Sequence, residues 1–204
     1  EYKTFLKLVT QSVISYHHFI ASLSGNPPIN PNGSGLCDDI ASMIPPRMWP
    51  AFVLPFFEQY YQGKTTGVRG AHIEDLKPDH LKYLEDIGLN RYDPSISPKL
   101  NPIIISQHCR VPFAWRLVNF HYSDMNCQDV QDWVFKAAAD GATTVFTSVE
   151  DDMLDSESVK KVQTFAAAAA EAEKILKSGA SRKDLLKNVS ANGLKKFWDK
   201  WPNK

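Results

Sequence analysis

Between Ile44 and Gly70 the chain reads IPPRMWPAFVLPFFEQYYQGKTTGVRG, and no other stretch limits its folding choices as much. It holds four of the thirteen prolines and seven bulky groups: Met48, Trp49, Phe52, Phe56, Phe57, Tyr60 and Tyr61. Burying one aromatic removes on the order of 150–250 Å² from water, so the segment belongs at the centre of a packed body. Four prolines in one apolar run exclude a single long helix and a central strand, since each lacks an N–H and fixes φ. Pro45, Pro46 and Pro50 suit turns or first helical positions, and Pro55 opens a short helix reaching Gln62. Trp49, Phe52, Phe56 and Tyr60 then fall on one helical stripe. The expectation is a kinked aromatic hub with amphipathic helices packed around it.

Either side of the hub, helical periodicity dominates. Phe5, Val9, Val13, Tyr16, Ile20 and Leu23 mark a helix over 2–24, stopped by Gly25. Gly25 to Gly35 reads as a surface loop, a short helix follows to Ile44, and Gly63 to Gly70 reads as a glycine-rich turn. Pro78 to Ile87 is a compact helix closed by Gly88, and the proline-bearing segment from Asn90 to Pro102 is an extended loop. Further on, helices are expected over 111–122, over 126–140 with Asn126 as cap, over 156–178, and from Ser181. Strand candidates are confined to Ile103–Ile105 and Thr143–Val149. The fold class is therefore mainly α, an irregular helical bundle with long proline-rich loops and at most one or two short strands. Its 204 residues suit a helical core over 1–178 and a basic, aromatic C-terminal segment over 179–204.

Lys plus Arg and Asp plus Glu number 23 each, so the chain carries no global field toward nucleic acid or membrane. The charge is unevenly placed. Asp124 to Glu157 has nine acids against Lys136, and Ser181 to Lys204 has seven bases against Asp184 and Asp199. Opposed ends suit self-association or two solvated faces. Cys37, Cys109 and Cys127 are odd in number and lack CxxC spacing, which fits a reducing, cytoplasmic compartment. No apolar run approaches the roughly 18–20 residues of a membrane span. The chain opens on Glu1, so a fragment or processed product is expected, and the lack of a signal peptide carries no weight.

No motif for chemistry stands out. Gly63-Lys64-Thr65 resembles the end of a phosphate-binding loop but has Glu58 where the first glycine belongs. His108, Cys109, His121 and Cys127 match no zinc spacing, and Glu150-Asp151-Asp152 lacks the glycine turn of an ion loop. No metal, cofactor or catalytic residue is assigned on this basis. At the C-terminus, Arg182, Lys183, Lys187, Lys195, Lys196, Lys200 and Lys204 interleave with Phe197, Trp198 and Trp201. Cations beside stacking rings hold single strands without sequence preference, which makes Arg182, Lys183, Lys187, Lys195, Lys196 and Trp198 candidate contacts for non-specific RNA.

Absent catalytic signatures, aromatic helices and proline-stiffened loops favour a non-enzymatic assembly subunit. Tyr92, Pro94, Phe197, Trp198 and Trp201 are the candidate interface. The segment PPRMWPAFVLPFFEQYY within a helix-rich, uncharged chain resembles the coat proteins of small double-stranded RNA viruses, the partitivirus-like group. That resemblance implies a mainly helical capsid subunit that dimerises and encloses RNA in a virion. Two alternatives stand beside it. One is an RNA-binding nucleoprotein using the basic end, with Arg47 and Arg69 on phosphates. The other is an enzyme with a dispersed site, for which His72, Asp75, His80 and Glu85 are the first suspects.

Overall fold

A computed structural model of the chain describes residues 1–198 and is mainly helical. Its contacts divide into two units: Glu1–Pro94 with His108–Val111, and Ser95–Gln107 with the chain from Pro112 onward. The boundary expected after residue 178 is not where the contacts part. Among the described residues, no helix is long and apolar enough to cross a membrane.

The first unit runs α1 (Tyr2–Leu23), β1 (Gly33–Cys37), α2 (Trp49–Phe52), α3 (Leu54–Gln62), β2 (Val68–His72), α4 (Pro78–Asp86) and β3 (Arg91–Asp93). Its strands form a parallel sheet in the order β1-β2-β3. Parallel strands need long crossovers, and α2 with α3, then α4, supply them. In register, Cys37 lies beside His72 and His72 beside Asp93, so the last residues of all three strands make one row. The β1 and β2 segments read as a loop, part of a helix and a turn in sequence. Glycines at 33, 35 and 70 dilute any strand pattern. Gly67 is needed for closeness, because a Cβ there would collide with the Pro31 carbonyl.

The hub is present, but its buried stripe is not the expected one. The helix breaks at Val53, with φ −123° and ψ −59°, one residue before α3 begins. That break shifts the inward face to Trp49, Val53, Phe57, Tyr60 and Tyr61, leaving Phe52 and Phe56 partly exposed. Trp49 is wholly buried. Its Nε1 donates to the Ala41 carbonyl at 3.1 Å, and its ring stacks on Tyr83 at 5.8 Å. Pro55 and Pro78 sit in the first turns of α3 and α4, where their missing N–H costs nothing.

The second unit contains α5 (Pro102–His108), β4 (Ala114–Leu117), α6 (Cys127–Ala139), β5 (Thr144–Thr147), α7 (Ser156–Lys177) and α8 (Gly193–Lys196). β4 and β5 are parallel. The Ile103–Ile105 run is helical rather than a strand, and the helix expected over 111–122 is β4 followed by a 3-10 turn. Among the described residues five strands replace the one or two expected, each only three to five residues long. Asn126 caps α6 as expected, accepting from Asp129 N–H at 3.0 Å. Along α7, Phe165, Ala168 and Ala172 are buried, with Phe165 6.1 Å from Trp133 of α6. Small side chains let the two helices approach.

Candidate functional site

Open α/β sheets bind ligands outside the carboxyl ends of their strands where strand order reverses; the order β1-β2-β3 has no reversal, so this edge stands on its side chains alone. In the first unit that edge carries chemistry. Cys37 ends β1, His72 ends β2 and Asp93 ends β3, with Asp39 and Glu74 just beyond. The ladder continues past the strands, as Asp38 N–H donates to the His72 carbonyl and Ile73 N–H to the Asp93 carbonyl, each at 3.1 Å. This extends the pairing one residue beyond β1 and β2.

His72 Nδ1–H donates to Asp93 Oδ2 at 2.8 Å. Its Nε2 is then directed toward Asp39 Oδ1 at 3.8 Å and Glu74 Oε1 at 3.5 Å. One ligand atom each from Cys37, Asp39 and His72 lies within 4.8 Å of the other two. Donors around a tetrahedral zinc stand roughly 3.3–3.6 Å apart, given bonds of about 2.0–2.3 Å, so the three need a modest contraction to share an ion. Thiolate, imidazole and carboxylate suit zinc, and a carboxylate behind the imidazole is the usual support for a histidine ligand. Three protein ligands leave a fourth position open, as in catalytic rather than structural zinc sites.

The electrostatics favour a cation. Partial desolvation raises the Cys37 thiol above its ordinary range, and Asp39, Asp38, Glu74 and Asp93 raise it further. Left alone, Cys37 stays protonated at neutral pH. A divalent ion reverses that balance, because a coordinating thiol is deprotonated outright. Desolvation also raises Asp38, although its Oδ1 accepts from the N–H groups of Ile40 and Ala41, each at 3.0 Å.

Of the four enzyme suspects, only His72 belongs to this row. Asp75 occupies the loop after β2 with φ +57°. His80 is fully buried, accepts from Lys77 N–H at Nδ1 (2.9 Å) and donates from Nε2 to the Ile44 carbonyl (3.0 Å), so it holds α4 in place. Glu85 accepts from Arg110 N–H at 2.8 Å. Arg69 forks onto Glu58 at 2.5 and 3.1 Å and also donates to the Ile87 carbonyl, while Arg47 is exposed. Sequence reading missed Cys37, Asp39, Glu74 and Asp93. The cluster Cys37-Asp38-Asp39 was the available signal, but only the sheet register brings it to His72.

The RNA and interface candidates are mostly engaged within the chain. Arg182 donates to the carbonyls of Ala138 and Ala142 at 2.5 and 2.8 Å, closing the end of α6. Lys187 pairs with Asp184 and Lys196 with Asp129, whereas Lys183 and Lys195 are exposed. Trp198 is buried, gives its Nε1–H to Asp140 and meets Trp115 edge-on at 5.8 Å. Phe197, Tyr92 and Pro94 are also buried, and Tyr92 donates to the Ile73 carbonyl at 3.0 Å. None of these four offers an exposed contact surface. Trp201, Lys200 and Lys204 lie outside the described residues. Nor do His108, Cys109, His121 and Cys127 form a ligand group: Cys109 and His121 are buried, the other two exposed.

No protein-family model matches the chain, and no curated protein sequence matches it. Solved structures do. One is a methyltransferase from Methanosarcina mazei, similar over 79% of this chain and 47% of that one, with a TM-score of 0.54 at 14% identity. The chain thus spans about half the length of that methyltransferase. At such identity the likeness concerns the fold alone. It nevertheless overturns the non-enzymatic capsid-type reading, because the fold it finds is carried by a protein named as a methyltransferase.

Proposed function

We propose that this chain is an enzyme of the group-transfer class, with its active centre at the carboxyl edge of the β1-β2-β3 sheet. The observation that carries this reading is the row Cys37–His72–Asp93, which brings Cys37, Asp39 and His72 within ligating range of one another. A zinc-type cation there would supply Lewis acidity, lowering the pKa of a bound thiol or water toward neutrality. Asp93 would fix the tautomer and tilt of His72, and the four carboxylates would offset the cation's charge. The name of the structural neighbour supports transfer of a methyl group.

The test uses methyl iodide as donor and 2-mercaptoethanol as acceptor. An S–CH3 bond forms, the C–I bond breaks, iodide leaves and the thiol proton passes to buffer. The zinc-loaded chain is expected to accelerate this reaction for many turnovers per chain. His72→Ala should remove the acceleration. Equal rates for the two proteins would sink the proposal.

A further inference from the structure

Beside the same cluster the first unit contains a cavity of about 710 Å³, and Cys37 and Asp38 form part of its wall. Phe5, Val9 and Val13 of α1 line one side, with Phe52, Phe56 and Tyr60 on another. α1 is tied down by His18, whose Nε2 donates to the Gly63 carbonyl at 2.6 Å, and by a Tyr2–Phe52 ring contact at 5.7 Å. Yet it buries none of its residues. Its inner face therefore borders open space next to the row of catalytic candidates.

The polar atoms of this wall are largely spoken for. The Thr10 hydroxyl donates to the Leu6 carbonyl at 2.9 Å, and the Tyr60 hydroxyl to the Gly35 carbonyl at 2.7 Å. Asp38 already accepts two backbone N–H groups. No Lys or Arg lines the cavity. Desolvation, then Lys64 and His18, lower the His17 imidazole, so it brings no positive charge either. Lys3 and Lys64 stand against the wall's Phe52 and Tyr60 rings, at 5.3 and 5.8 Å from their centroids. Apolar pockets of roughly 300–1,000 Å³ with few polar anchors are the usual seats of organic ligands.

We propose that this cavity holds the body of the substrate, an organic molecule with an apolar body whose reacting end extends to Cys37. The inference rests on the active centre proposed above and names the class of molecule that centre works on.

Nile red, a neutral ring dye, is the probe. It should bind the chain at one site with blue-shifted emission. The pair Val9→Trp and Val13→Trp, made together, should weaken binding at least tenfold by filling the cavity. Ile40→Trp, at a wall position 69% exposed, repeats the test without touching α1. Phe19→Ser, an exposed α1 residue outside the wall, should leave the affinity unchanged. Wild-type affinity in the filled variants or loss in Phe19→Ser would overturn the inference. Zinc binding, read in the same samples, separates the two claims. Dye binding without zinc binding sinks the metal centre, and zinc binding without dye binding sinks the cavity assignment.

Discussion

His72 Nδ1 lies 2.8 Å from Asp93 Oδ2 across the β2–β3 register, which leaves the far ring nitrogen to Asp39 and Glu74. At the proposed centre Asp93 would therefore act on a metal through His72 rather than by touching it. Losing such a supporting carboxylate typically costs about 10–100-fold in metal affinity. Asp93→Asn is expected to weaken zinc by that factor, measured by competition with a chromogenic chelator. Asp79→Asn, an exposed change on α4, should leave the affinity unchanged.

Hub positions differ sharply in burial. Trp49 is fully buried between Tyr83, His80 and Phe57, so Trp49→Ala is expected to cost roughly 3–5 kcal/mol. Phe56 borders the cavity and is only partly covered, so Phe56→Ala should cost clearly less. Urea denaturation midpoints of the two variants test this order. The reverse order would restore the unbroken stripe expected from sequence.

In α7 the run from Ala166 to Ala170 has a definite inward face. Ala168 and Ala172 are buried, and Ala166 is exposed. Ala168→Leu should overpack the α6–α7 contact by roughly 1–3 kcal/mol, while Ala166→Leu should be near neutral. Thermal unfolding of both variants decides the face.

Acid sensitivity of the first unit should involve Glu58. The forked hydrogen bonds from Arg69 hold its carboxyl below the ordinary range, against a smaller opposing desolvation. A lowered folded-state pKa gives stability that is present above the unfolded value and lost as pH falls through the folded one. Glu58→Gln should therefore destabilise at pH 7 and lose that deficit toward pH 3. Denaturation midpoints at the two pH values check the sign.

These particulars show how far the sequence could be read. The long helices α1, α6 and α7 were legible because their apolar periodicity and caps are local properties. Asn126 caps α6 as expected, and Asp155, not read as a cap in the sequence, caps α7. The hub was legible in composition but not in facing, since one non-helical residue at Val53 rotates the stripe. β1, β2 and β3 were not legible. Five-residue strands such as GSGLC and VRGAH show no alternation, and what stabilises them is pairing with distant segments. The site depends on that same pairing. His72 stood out as a lone histidine, but Cys37, Asp39 and Asp93 become its neighbours only through register. The C-terminal rings misled in the opposite way. A basic, aromatic segment looks the same in sequence whether its rings meet RNA or, as Trp198 does, pack on Trp115 and Trp133.

The most direct measurement is a cobalt titration of the reduced chain, with Co²⁺ standing in for zinc and absorbance as readout. If Cys37, Asp39 and His72 share an ion, one equivalent should produce a thiolate-to-cobalt charge-transfer band in the near ultraviolet together with the visible bands of a tetrahedral site. Cys37→Ser should lose the charge-transfer band, and His72→Ala should lose tight binding altogether. A wild-type chain that takes up no cobalt, or whose spectrum is unchanged in Cys37→Ser, would contradict a metal centre at the carboxyl edge of this sheet.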